Sequence, residues 1–233
     1  MERGNTALSV YRNSIYPAIF SNAGNDSHRD GPLTACVVTG PPGSGKQAIG
    51  QRAHALLQTY GLKTVSIAHG DLARHCSDYG LNGRDADQLV EMWRDQAIAD
   101  AAQRRLGVVV EATLTDDSAA RRLLDNLQHQ GYQAIGFAVC TPVTSLDTRV
   151  SDMQQAERFR ASYEQLGWIA ECIENHPATT RLVLVDRHGQ QYNSNGPTVQ
   201  AVEPIRQRIQ HKEQTASLPP VPRRKSPEHS RHL

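Results

Sequence analysis

Eight consecutive residues carry the clearest chemistry in this chain: Gly40-Pro41-Pro42-Gly43-Ser44-Gly45-Lys46-Gln47. Glycines at this spacing let the backbone bend so that successive N–H groups point inward at a phosphate. The Lys46 ammonium adds a full positive charge, and a helix starting there adds the positive end of its dipole. An apolar run, Ala35-Cys36-Val37-Val38, leads in, and a helix-favouring segment follows, which is the strand–turn–helix context of a phosphate-binding loop. The whole stretch from Gly40 to Gln47 is therefore the candidate nucleotide site. Its last position departs from the usual pattern, because Gln47 stands where Ser or Thr normally offers a hydroxyl to Mg²⁺. A Gln carbonyl can ligate a hard cation, so Gln47 is the candidate metal ligand. Its longer arm sits differently in an octahedral shell that tolerates little distortion.

Two acids and a hydroxyl form a second set. Leu62–Ala68 alternates like a strand and ends at His69-Gly70-Asp71, and Gly107-Val108-Val109-Val110-Glu111 is a continuous apolar run followed by Ala112-Thr113. In an open parallel sheet, ligands bind beyond the carboxyl ends of the strands. If these strands neighbour the phosphate loop, Asp71, Glu111 and Thr113 enter the same crevice. One carboxylate there can accept the proton of an attacking hydroxyl, while a second acid and a hydroxyl hold the acceptor.

Further elements must position these groups. A helix over about 45–59 follows the loop, and Arg84–Arg105 carries Leu89, Met92, Trp93, Ile98, Ala101 and Ala102 at helical intervals. Thr115-Asp116-Asp117 caps a helix running to about Gln130, and Gln133–Cys140 is another strand. A helix with Leu146 and Arg149, a charged loop over 152–160 and a helix over 162–175 follow. The last of these has a hydrophobic side of Leu166, Trp168, Ile169 and Ile173. Arg181–Val185 gives a fifth strand, Gln190–Asn193 a short hairpin partner, and Val199–His211 a last helix. Strands alternating with helices predict an α/β fold: a three-layer, P-loop NTPase-like, mostly parallel sheet with helices on both faces. The domain spans 33–213. Residues 1–32 form a polar N-terminal arm in which Tyr11–Phe20 packs on the core, and 214–233 form a disordered, Pro- and charge-rich tail.

Lys and Arg total 25 against 24 Asp and Glu, so no global field favours nucleic acid or an anionic membrane as partner. Cys36, Cys76, Cys140 and Cys172 stand singly and the ten histidines are scattered, which points to no metal cluster. No stretch has the apolar length of a membrane span, and the first residues lack a signal-peptide core, so a reducing cytoplasm is expected.

The order of these motifs resembles the zeta toxins of toxin–antitoxin systems, P-loop kinases of UDP-N-acetylglucosamine, over about 34–193. The family's G-x-P-G-[SA]-G-K-[ST] loop is matched by GPPGSGKQ, and its I-D-x-D stretch by Ile67-Ala68-His69-Gly70-Asp71. Its E-G-T strand end is matched by Glu111-Ala112-Thr113. The resemblance implies ATP and Mg²⁺ as cofactors, Asp71 as catalytic base, and Glu111 and Thr113 as sugar-holding residues. Two arginines would clamp the transferred phosphate: Arg149 in LDTRVSD, and either Arg158 or Arg160 in AERFRAS, with Arg158 preferred. LVLVDRHGQQY is similar to the family's N-R-x-G turn before its last short strand. A nucleotide-sugar substrate and a small helical antitoxin blocking the nucleotide site are the partners so implied. Departures at Gln47 and His69 touch the metal and γ-phosphate region. They motivate a rival reading as a nucleotide-binding protein with lost catalysis that acts through a partner. A kinase of another small hydroxyl substrate is a third.

Overall fold

The computed structural model describes residues 7–24, 31–78, 84–145, 153–193 and 196–216. Six strands, β1 (Leu33–Thr39), β2 (Thr64–Ala68), β3 (Gly107–Ala112), β4 (Tyr132–Val139), β5 (Thr179–Val185) and β6 (Gln191–Tyr192), form one sheet in the order β2-β3-β1-β4-β5-β6. Every pairing is parallel except the short β5–β6 hairpin. The chain builds outward from β1 to one side with β2 and β3, then to the other with β4 and β5. That reversal makes the carboxyl end of β1 the switch point at which a ligand crevice opens, and the glycine-rich loop begins there.

Strand alternation assigns the two faces. Cys36, Val38, Val109, Val139, Val183 and Val185 point to one face, where α2 (Lys46–Thr59) buries Ile49, Ala53 and Leu57 against them. Ala35, Val37, Ile67, Val108, Val110 and Ala134 point to the other. That face is covered by α4 (Arg84–Gln103), α5 (Asp117–His129) and α7 (Leu166–Glu174), through Trp93, Ile98, Leu123, Leu124, Leu127, Ile169 and Ile173. α8 (Thr198–Ala216) packs on α7 through Val202, Ile205 and Ile209. Helices thus lie on both faces of a mostly parallel sheet, as the sequence pattern implies.

The N-terminal segment contributes to the core. Tyr11–Ile15 is a π-helical turn continuing into α1 (Tyr16–Phe20), and Tyr11, Ile15 and Phe20 are buried. Trp93 Nε1 donates to the Ala7 carbonyl at 3.0 Å, and the Tyr11 hydroxyl donates to Asp100 Oδ2 at 2.6 Å. Both bonds fasten this segment to α4, matching the expectation that Tyr11–Phe20 packs on the core. Among the described residues no helix is long and apolar enough to cross a membrane.

Four sequence expectations need correction. Asp71 is not a strand tip: β2 stops at Ala68 and α3 (His69–Asp78) starts on the next residue, so Asp71 lies in a helix's first turn. The expected charged loop over 152–160 is mostly helix, α6 (Met153–Glu164). Trp168 is 57 % exposed, and Met92 is exposed too, because each lies off the buried stripe of its helix. α8 continues to Ala216, past the expected start of the tail at 214. The expectations for Leu146 and Arg149, and for the tail over 217–233, fall outside the described residues.

Candidate functional site

The loop geometry follows from its glycines. Gly43 and Gly45 have φ of 74° and 94°, left-handed values that strain any side-chain-bearing residue. Gly45 also lies against the β5–β6 turn: a Cβ placed on it would sit 3.0 Å from Arg187 Cβ. That turn is braced by buried Asp186, whose Oδ1 accepts from the amides of His188 and Gln190, each at 2.9 Å. Its other oxygen accepts from the Tyr192 hydroxyl at 3.1 Å. On the opposite flank, Thr141 Oγ1, just beyond β4, donates to the Ser44 carbonyl at 2.9 Å. The loop is therefore held from the ends of two other strands.

What the loop presents is a set of donors in need of an anion. α2 starts at Lys46 with Gly45 as its cap, and no side chain accepts from its first amides. The Lys46 ammonium folds onto the loop's own carbonyls, donating to Gly40 O and Pro41 O at 2.8 Å each. Its pKa is pushed down to about 8, chiefly by burial, with Glu111 opposing and Arg158 adding to the drop. Ser44 Oγ and Thr39 Oγ1 are buried and have no hydrogen-bond partner among the described residues. An unpaired buried hydroxyl costs about 1–3 kcal/mol, which a phosphate oxygen would relieve. These features fit a nucleotide's phosphates. Gln47, by contrast, is exposed, and the hydroxyl that holds Mg²⁺ in other loops of this kind is missing.

β3 brings the second acid in. Val38 of β1 and Ala68 of β2 both stand beside Glu111, and the alternation Val109–Glu111 turns its side chain toward α2. It fits there because position 50 is glycine: an added Cβ would lie 2.9 Å from Glu111 Cδ. Burial raises the Glu111 pKa, Lys46 counteracts this, and Asp71 raises it further. Asp71 itself is 61 % exposed and paired with Arg74 one turn on. Thr113 follows β3 and is half-buried.

α6 separates the two arginine alternatives. Arg158 pairs with Asp87 of α4 and acts on both Lys46 and His69, whereas Arg160 faces solvent, 79 % exposed and bonded to Glu164. Lys46, Glu111, Asp71 and Arg158 thus share one neighbourhood at the carboxyl ends of β1–β3, while Arg149 lies outside the described residues. Two further groups belong to this neighbourhood. His69 is mostly buried, and burial together with Arg158, Lys46 and Arg94 lowers its pKa to about 4. Arg94 escaped sequence reasoning, although a signal existed: it stands on the inward stripe Val90–Arg94–Ala97–Ala101 of α4, where a charge is out of place.

A family model described as an AAA domain matches residues 30–137. No curated protein matches the chain by sequence. Among solved structures, a chain from the PezAT chromosomal toxin–antitoxin system of Streptococcus pneumoniae superposes with a TM-score of 0.60 at 10% identity. The match covers 90% of this chain and 94% of that one. A protein of Chloroflexus aurantiacus matches with TM-score 0.46 and 17% identity, over 76% of this chain and 98% of its own. A chain of the Pnkp1/Rnl/Hen1 RNA repair complex matches with TM-score 0.45 and 13% identity, over 62% and 47%. The chain has a P-loop NTPase-like α/β fold, the one that its motifs' resemblance to zeta toxins implies and that it shares with the PezAT chain.

Proposed function

We propose that the protein is an ATP-dependent kinase of a small hydroxyl substrate, with UDP-N-acetylglucosamine or a similar nucleotide sugar as acceptor. The observation that carries this reading is the gathering of Lys46, Glu111, Asp71 and Arg158 at one end of three adjacent strands. The loop from Gly40 to Gln47 and the Lys46 ammonium hold the donor's phosphates, the ammonium leaving the Gly40 and Pro41 carbonyls when the anion arrives. Asp71 accepts the proton of the attacking hydroxyl. Its exposure lets it approach a bound acceptor, and its bond to Arg74 orients the carboxylate. Glu111 and Thr113 bond the acceptor's other hydroxyls, and Arg158 neutralises charge developing on the transferring group. Arg149 is proposed as a second clamp from its place in the motif alone.

The acceptor assignment and a small helical antitoxin rest on the zeta-toxin resemblance, a cytoplasmic location rests on the sequence, and the likeness to a chain of a toxin–antitoxin system supports an antitoxin as partner. Labelled ATP offered with a panel of acceptors tests both reaction and substrate: label should pass to the nucleotide sugar. Transfer to a nucleoside or an antibiotic instead would keep the kinase and replace its substrate. One observation favours a second reading, a nucleotide-binding protein with weak catalysis: the exposed Gln47 amide occupies the hydroxyl position. Near-zero turnover in the native chain, with a large gain in Gln47→Thr, would select it.

A further inference from the structure

The departures at positions 47 and 69 act on one property of the site, its capacity to hold a divalent cation. Mg²⁺ demands a near-octahedral oxygen shell and takes one or two protein oxygens beside the phosphates. Position 47 presents an exposed amide instead of a hydroxyl. Of the two nearby carboxylates, Asp71 faces solvent and is paired with Arg74, and Glu111 is packed beneath Gly50 within the field of Lys46. At position 69, where an acid could have balanced the local charge, there is an imidazole that stays neutral at pH 7.

The cations at the site are fixed in place. Arg94 Nε and Nη2 both donate to Asp95 Oδ1, at 3.1 and 3.0 Å, and its side chain is only 11 % exposed. Arg158 is tethered by Asp87 of α4. A guanidinium has five N–H donors in a rigid fork, so each aspartate holds its arginine in position and leaves donors over. Lys46, Arg158 and Arg94 all act on the His69 ring. A dication brought to this group finds the nearby aspartates already engaged by arginines, whereas a polyanion meets donors already placed for it.

We propose that this chain grips the phosphates of its nucleotide without a divalent cation, Lys46, Arg158 and Arg94 supplying the charge that Mg²⁺ supplies where a hydroxyl follows the loop lysine. This rests on the nucleotide-site reading above. It also makes Arg94 a phosphate-binding residue that no motif marks.

Calorimetric titration of ATP into the full chain, in EDTA and in excess MgCl₂ at matched ionic strength, tests it. The expected result is a Kd in EDTA equal to or tighter than that in Mg²⁺, within about threefold. Tightening by Mg²⁺ beyond that overturns the proposal and leaves the nucleotide site standing. Failure of the folded protein to bind ATP in either condition removes the nucleotide site, and this proposal with it. Arg94→Met, checked for folding by circular dichroism, should weaken ATP binding in EDTA by about tenfold, the usual scale for one charge-assisted contact; unchanged affinity removes Arg94 from the grip. The Gln47→Thr/His69→Asp double variant should acquire about tenfold tightening by Mg²⁺. A double variant still indifferent to Mg²⁺ refutes the assignment to these two positions.

Discussion

If the buried Lys46 is poised for an anion, nucleotide binding must take up protons. Burial lowers the ammonium from 10.5 to about 8, so close to half of the free protein carries a neutral Lys46 at pH 8. A polyphosphate beside it restores the charged form. Binding should therefore take up about 0.5 proton at pH 8, about 0.1 at pH 7 and about 0.9 at pH 9. Phosphate groups with a second pKa near 6 contribute little at the upper end. Calorimetry of ATP in buffers of different ionisation enthalpy reads this number as a slope, and Lys46→Met should flatten it. The same shift carries a stability signature. Below pH 8 the lysine is charged in both folded and unfolded chains, and its burial costs about 3 kcal/mol. That cost is relieved as pH rises from 8 toward 10.5, so native stability measured by urea unfolding should climb over that window relative to Lys46→Met. A zero slope in a protein that binds ATP, together with parallel stability profiles, would refute the claim that Lys46 is strained by burial.

Three further outcomes follow from the site. Asp71→Asn should lower kcat by at least ~10²-fold with little change in stability, because the side chain is exposed and pairs with Arg74, itself exposed; steady-state kinetics with unfolding curves reads both. Arg158→Ala should cost about 10²-fold in kcat/KM, and Arg160→Ala no more than about twofold, since only the former faces the loop lysine. Gly50→Ala should push the flexible Glu111 side chain out of its seat and raise the acceptor KM with little loss of stability, because the new methyl sits 2.9 Å from Glu111 Cδ while alanine favours the helix.

The phosphate loop was legible in the sequence because its chemistry is backbone chemistry, and only a few residue types permit that backbone. The strands were legible for a related reason: runs such as Val108–Val110, covered on both faces, admit few other readings. Asp71 was read as a strand tip and lies in the first turn of α3, since a polar triplet after a strand reads equally as turn or as helix start. α6 was hidden by its charges; Arg158 and Glu157 look like loop residues until Phe159 and Tyr163 are seen stacked on one another. Arg94 shows the converse limit, because one charge on an apolar stripe looks like a solvated helix position until packing encloses it. Which arginine acts on Lys46 depends on how α6 is set against α4, where Arg158 meets Asp87, and local sequence does not encode that placement.

In the proposed reaction the groups at the ends of β1–β3 transfer a phosphoryl group to a hydroxyl under control of Asp71. The direct measurement is transfer of the labelled γ-phosphate of ATP to UDP-N-acetylglucosamine by the native chain and by Asp71→Asn. Label in the sugar nucleotide with the native chain, falling at least ~10²-fold in the variant, is the predicted result. Binding of ATP by the folded native chain with no transfer to any hydroxyl acceptor, or equal transfer by the variant, would contradict it.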